Sequence, residues 1–321
     1  MPKFDTESPQ RIAATDYNAI RNKIAEILGT GTGQKGYGQT IASSAVFAGN
    51  NITRNQWDLL RYDLVNALVH QDGVLPTIVT LGATDLASNY GAGYVNTNYD
   101  TLAERSISNR FNIGAGQSIV VSPTLIDSGT SSPTVVLGTQ SRTGTWATQS
   151  QCTMTVTFAS VNTARYFFNS GSKIRFTSSR TGGTVSPQNN AWTNLLSTAI
   201  GTVNFGANAP SAVNFYTLTT SYQQIYQLAS STPYSANYYA IEALCNCTDA
   251  TNSNGTASTV TFRITWRDDY TDPGAPAPGD SVDGTLNISI EELRASGLMQ
   301  PSGTFTVAGP TGYSISPITA S

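Results

Sequence analysis

Apolar residues recur at helical spacing in two places near the start of the chain. From about Thr15 to Leu28, Tyr17, Ile20, Ile24, Ile27 and Leu28 share one face, with Thr15 placed to cap the start and Gly29 to stop the end. From about Thr53 to Val69 the stripe is Trp57, Leu60, Leu64 and Leu68; Thr53 with Gln56 makes a capping box and Asp72-Gly73 supplies the break. Tyr17-Asn18-Ala19-Ile20-Arg21 aligns with Trp57-Asp58-Leu59-Leu60-Arg61, and a weaker echo begins at Tyr99-Asp100-Thr101-Leu102. True repetition and the ordinary likeness among amphipathic helices both produce such a match.

The period then changes from helical to two. Short apolar pieces between about Ile113 and Trp146 read as short strands or an extended connector. Beyond them Cys152, Met154, Val156 and Phe158 alternate with Gln151, Thr153, Thr155 and Thr157. Val260, Phe262, Ile264 and Trp266 alternate with Thr and Arg, and Leu286, Ile288 and Ile290 with Asn287 and Ser289. One apolar and one polar face is the pattern of half-buried antiparallel strands. Ser170-Gly171, Gly182-Gly183, Asn254-Gly255 and Asp283-Gly284 are turn signals, and a short helix is expected at Asn190 to Ala199. The predicted fold is mainly β: an antiparallel β-sandwich, jelly-roll-like, behind a small helical N-terminal region. The expected division is a helical region over 1–112, a connector over 113–146, the sandwich over 147–296 and an extended tail over 297–321.

Composition narrows the function more than the fold. The 321 residues hold 17 Lys+Arg and 20 Asp+Glu, a charged share of 12% against the usual ~25%, and only four of the bases are Lys. A net charge of -3 without clustered bases argues against nucleic acid as the main partner. The single histidine, His70, removes most His-based catalysis and any multi-His metal site. No apolar run is long enough to span a bilayer, and the first residues do not form a signal peptide, so no membrane partner is expected. Cys152, Cys245 and Cys247 lack the spacing of a zinc site; they read as buried thiols, or as one bridge from Cys152 to either of the others. No cofactor is expected.

Four features invite chemistry. Gly29 to Gln39 is glycine-rich with one Lys, yet it lacks the phosphate-loop pattern and follows a helix rather than a strand. The acids of Asp268 to Asp272 and of Asp280 and Asp283 could ligate Ca²⁺, but their spacing fits no EF-hand, and solvated turns use the same residues. Glu291 and Glu292 are adjacent and point apart in regular structure. Tyr222, Tyr226, Tyr234 and Tyr238, set among Asn and Gln, suit core-and-edge packing, a protein interface or stacking on glycans. Charge is also uneven: residues 128–241 hold five bases and no acid, whereas 242–292 hold nine acids and two bases. Local pairing, or complementary patches on neighbouring subunits, would use that asymmetry.

Two stretches resemble virion structural proteins of tailed phages, particularly those infecting cyanobacteria. One runs through Asp16-Tyr17-Asn18-Ala19-Ile20-Arg21-Asn22-Lys23-Ile24, Gly36-Tyr37-Gly38-Gln39, Gln56-Trp57, Leu60-Arg61 and His70-Gln71. The other is Ala164-Arg165-Tyr166-Phe167-Phe168-Asn169, Ile174-Arg175-Phe176 and Asp280-Ser281-Val282-Asp283-Gly284-Thr285-Leu286. The resemblance implies a non-enzymatic particle component (neck, tail, baseplate or fibre) made in the host cytoplasm, with itself and other virion proteins as partners. Two helices packed together cannot cover both apolar stripes, so Tyr17, Ile20, Arg21, Ile24, Trp57, Leu60, Arg61 and Leu64 are the expected assembly surface. The alternative is a receptor- or glycan-binding fibre domain that uses the tyrosines.

Overall fold

A computed structural model of the chain describes residues 14–76, 99–121, 139–208, 212–271 and 282–320. Its contacts define two compact units. The first takes 1–119 together with 165–172 and 295–308; the second takes 120–164, 173–294 and 309–321. The division is therefore not the sequential one expected from sequence. A short helical segment and a late hairpin join the N-terminal unit, and the chain's end joins the β unit. The expected acids Asp272 and Asp280 and half of the 113–146 connector lie outside the described residues.

The first unit is built on three helices: α1 (Ala14–Leu28), α2 (Arg54–Asp72) and α3 (Tyr99–Ser108). α2 begins on the expected capping box, and Gly73 closes it in the left-handed conformation at φ 75°, its N–H bonded to Val69 O. Thr15 does not cap α1 but lies inside its first turn. The apolar stripes meet in one core containing Tyr17, Ile20, Ile24, Trp57, Leu60, Leu64 and Leu68, closed by Tyr99, Leu102, Ala103 and Val46. The aligned aromatics of the three helices converge there: the Tyr17 and Trp57 ring centroids are 6.2 Å apart, and those of Trp57 and Tyr99 4.7 Å.

Two antiparallel sheets, the β-sandwich-like arrangement expected from the alternation, make up the second unit, apart from their residues 118–119, 295–298 and 304–306, which fall in the first. The strands are β1 (Ser118–Val121), β2 (Thr139–Thr143), β3 (Gln149–Thr157), β4 (Lys173–Thr181), β5 (Thr202–Phe205), β6 (Gln223–Ala229), β7 (Tyr238–Cys245), β8 (Thr259–Arg267), β9 (Thr285–Leu298), β10 (Thr304–Thr306), β11 (Gly312–Ile315) and β12 (Thr319–Ala320). One sheet has the order β1-β9-β4-β5, with β2 and β10 also on β9, and the other has β11-β3-β8-β7-β6, with β12 also on β3. Two helices interrupt the strands: α4 (Val161–Asn169) and α5 (Pro187–Asn194), which runs on into a π-helical turn over Leu195–Ile200. α5 starts earlier than expected because Ser186 caps it and Pro187 pre-sets its first turn.

Register places Met154, Phe262 and Ala243 in one row of the inner face, and all three are fully buried. From the opposite sheet Phe176 and Phe205 pack edge-on to Phe262, at 4.9 and 5.2 Å between centroids. Trp266 donates its indole N–H to Ser178 Oγ at 3.0 Å, which satisfies the one polar atom it buries. All four predicted turns fall on glycines with positive φ, Gly171, Gly182-Gly183, Gly255 and Gly284.

The expected extended tail over 297–321 is corrected. Thr304–Thr306 pairs back on β9, and Gly312–Ile315 and Thr319–Ala320 are edge strands on β3. Tyr313 donates to Glu292 Oε2 at 3.2 Å, and Arg294 pairs with the same carboxylate at 2.5 Å, so the final segment completes the partners of a fully buried Glu292.

Candidate functional site

The glycine-rich loop after α1 folds back on the helix that precedes it. The N–H groups of Tyr37, Gly38 and Gln39 bond to the carbonyls of Ile27, Gly29 and Leu28 at 2.7–2.9 Å, which satisfies groups that a helix end leaves open. That path needs glycine. Gly36 and Gly38 have φ 93° and 71°, and a Cβ on Gly38 would run into the Tyr166 ring.

The loop's carbonyls are then collected by α4. Asn169 Nδ2 donates to Lys35 O at 2.8 Å and Gly36 O at 3.1 Å, while Arg165 donates from Nε to Gly33 O at 3.1 Å and from Nη2 to Lys35 O at 3.2 Å. A phosphate cradle presents N–H groups inward. This loop presents carbonyls to cationic and amide donors, and Lys35 Nζ is paired with Glu26 at 2.8 Å. Its geometry is that of a structural latch.

The last turn of α2 brings His70 and Gln71 to the same place. Gln71 Nε2 donates to Tyr37 OH at 2.7 Å and to Ser106 O at 2.8 Å, and Tyr37 OH donates onward to Arg110 O at 2.8 Å. The His70 ring stacks on Phe305, 4.0 Å between centroids and 8° between planes, and Tyr37 packs edge-on against both rings. His70 Nε2 lies 2.8 Å from Ser170 O; a carbonyl accepts only, so this nitrogen carries the proton and donates. Burial lowers the His70 pKa to about 4, against the opposing pull of the Ser170 carbonyl. Burial likewise raises the Tyr37 hydroxyl, although Gln71 and Arg110 act against it. At neutral pH this is an uncharged aromatic and amide cluster with no group poised for proton transfer.

The expected assembly residues are placed differently from the expectation. Tyr17, Ile20, Ile24, Trp57, Leu60 and Leu64 are 0–5% exposed within their own chain. The surplus apolar surface that two helices would leave is covered by α3. Arg21 donates from Nε to Ser43 O at 3.2 Å, next to Asp63, whose carboxylate accepts from the N–H groups of Ala42 and Ser43. Arg61 lies over the Tyr62 ring at 5.5 Å.

The tyrosines are mostly engaged within the fold. Arg263 covers a face of Tyr222 at 4.2 Å, Tyr226 packs on Tyr239, and Tyr234, 3% exposed, packs on Tyr270; Tyr238 is half-buried. Asp283 takes hydrogen bonds from the Thr184 N–H and hydroxyl, from Asn189 Nδ2 at 2.5 Å and from Arg180, so it is a turn anchor. Arg180 and Arg175 of the basic stretch pair with Asp283 and Glu291 of the acidic one, at 3.4 and 3.5 Å. Cys152, Cys245 and Cys247 are free and buried. Among the described residues no group of three His, Cys, Asp or Glu could hold a metal ion, and no helix is long and apolar enough to cross a membrane.

No protein-family model matches the sequence, and no curated protein or solved structure is significantly similar to it. The latch as a unit is not legible in the sequence. The pieces, Gly36-Tyr37-Gly38-Gln39, His70-Gln71 and Arg165 to Asn169, lie far apart in the sequence, with no local pattern to join them.

Proposed function

We propose that the chain is a non-enzymatic structural component of a tailed-phage virion, at the neck, tail, baseplate or fibre. It is attached through its helical N-terminal unit and assembles as a homo-oligomer beside other virion proteins. The observation that carries this reading is the use to which the resembling residues are put. Tyr37, His70, Gln71, Arg165 and Asn169 come from distant parts of the chain, and each holds a backbone carbonyl or packs a ring. Residues spent on architecture suit a particle component, whose task is to keep one shape.

A second observation supports attachment through the same unit. Phe47, Val74, Leu75 and Leu298 belong to it and are 65–78% exposed, and exposed large apolar side chains commonly mark protein contacts. These residues, and not the buried stripes, are the attachment candidates. The test is mass spectrometry of density-banded particles from the phage that carries the gene, with wild-type chain and with Phe47→Asp. The expected result is wild-type chain in the particles, and a variant that folds but is depleted from them. Wild-type chain abundant in the lysate and absent from banded particles overturns the proposal.

A further inference from the structure

Polar side chains on the outer faces of both sheets bond across strands, as Thr143 does to Thr285 at 2.9 Å, except in one stretch. On the sheet containing β3 and β8 the side chains bond to one another: Thr155 to Thr261 at 3.2 Å, Gln151 to Thr265 at 3.2 Å, and Glu242 to Arg263 at 2.6 Å. On the other sheet a trough of about 400 Å³ opens over β9. Thr139 and Ser141 of β2 form one wall, Thr177 and Ser179 of β4 the other, and Asn287 and Ser289 the floor. Register places them in two rows, Thr139–Ser289–Thr177 and Ser141–Asn287–Ser179. Of these six side chains only Asn287 bonds to another described residue, through Nδ2 to Thr285 O at 3.3 Å.

We infer that this trough is a binding site for a neutral oligosaccharide. Every lining hydroxyl both donates and accepts, and Asn287 does the same through separate atoms, so the trough matches a ligand dense in hydroxyls. Its described lining carries no charge to select an anion; in the next row of the same face Arg175 and Glu291 pair at 3.5 Å. Among the described residues no aromatic side chain lines it, and its one large apolar residue, Ile288, is 1% exposed, so it does not suit a lipid or an aliphatic ligand. The walls are Ser and β-branched Thr, short side chains that lose little rotamer freedom on binding. Within a row, side chains recur at ~4.8 Å from strand to strand, comparable to the rise per residue of an extended pyranose chain, and the two rows lie about 7 Å apart along the strands. Affinity at one such wet, open site is weak, and many copies on one particle would raise it by avidity.

The test uses the full-length chain on immobilised maltoheptaose, cellohexaose and chitohexaose, with heparin and a sialylated glycan as charged probes. The expected result is retention by at least one neutral glycan, insensitive to salt. The near-isosteric double variant Thr139→Val with Thr177→Val should lose tenfold or more of that retention at unchanged melting temperature. Thr155→Val with Thr261→Val, on the other sheet, should keep it. Asn287→Ala supplies an independent floor variant should the double variant misfold. Retention by no neutral glycan, or retention equal in the trough variants, overturns the inference. So does salt-sensitive retention by the charged probes alone. Self-association of the chain that the trough variants abolish, without glycan retention, assigns the trough to a second copy and also overturns it. These measurements need no particle, so their failure leaves the virion proposal standing.

Discussion

His70 makes the stability of the helical unit depend on pH in a window where few other groups titrate. The chain has one histidine, 1% exposed, and its folded pKa is about 4 against ~6.5 in an unfolded chain. Protonating the folded form would bury a cation between Phe305 and Tyr37 and add an N–H at Nδ1, an atom with no partner. Below pH 6.5 the unfolded chain therefore binds a proton that the folded chain refuses. The stabilisation conferred by neutral His70 is complete above that pH and is lost as the pH falls towards 4. Linkage puts the loss at about 2 kcal/mol at pH 5 and about 3 kcal/mol at pH 4. A loss of 2 kcal/mol corresponds to ~4–8 °C in the melting temperature of a unit this size.

Two measurements check this. The imidazole Cε1–H resonance, unique in the chain, should titrate in the folded protein near pH 4. The melting temperature of the wild-type chain should fall between pH 7 and pH 5, and that slope should flatten in both His70→Gln and His70→Phe. The Gln variant keeps a donor for Ser170 O and the Phe variant keeps the stack on Phe305, so their absolute stabilities differ while their slopes agree. A folded-state midpoint of 6 to 7, or an undiminished slope in both variants, refutes the reasoning.

Trp57→Ala should cost about 3–5 kcal/mol in denaturant unfolding, because Trp57 fills the core between Tyr17 and Tyr99; a cost under 1 kcal/mol would return Trp57 to the surface. Asn169→Ala strips the donor from the carbonyls of Lys35 and Gly36, and should cost ~1–3 kcal/mol and open the 29–39 loop to limited proteolysis; wild-type cleavage rates would mean that the loop holds itself. Truncation after Ala308 removes β11 and β12, uncovers the edge of β3 and deprives Glu292 of Tyr313, so the product should aggregate or melt early. A truncated chain as stable and monomeric as the full one would show the C-terminal strands to be dispensable.

What could be read from the sequence followed the range of the physics involved. The capping box at Thr53 and Gln56, the stop at Gly73, the alternation along β3, β8 and β9 and the turn glycines are set by neighbours within a few residues, and these emerged in place. Partners across the fold left no such local mark. Nothing near Asn169 announces the carbonyls of Lys35 and Gly36, and the sparse apolar content of Gly312–Ile315 gives no hint that it edges a sheet. The assembly surface shows the limit most plainly. Two stripes do present more apolar area than a pair of helices covers, but that surplus fixes only the need for a cover and not which chain supplies it. The third echo at Tyr99 held the answer, because the positions that align in sequence, Tyr17, Trp57 and Tyr99, are the ones whose rings meet. Each helix contributes an aromatic to one shared core. A surplus of apolar surface should therefore be offered first to the nearest sequence echo, and to a second chain only when no echo remains to cover it.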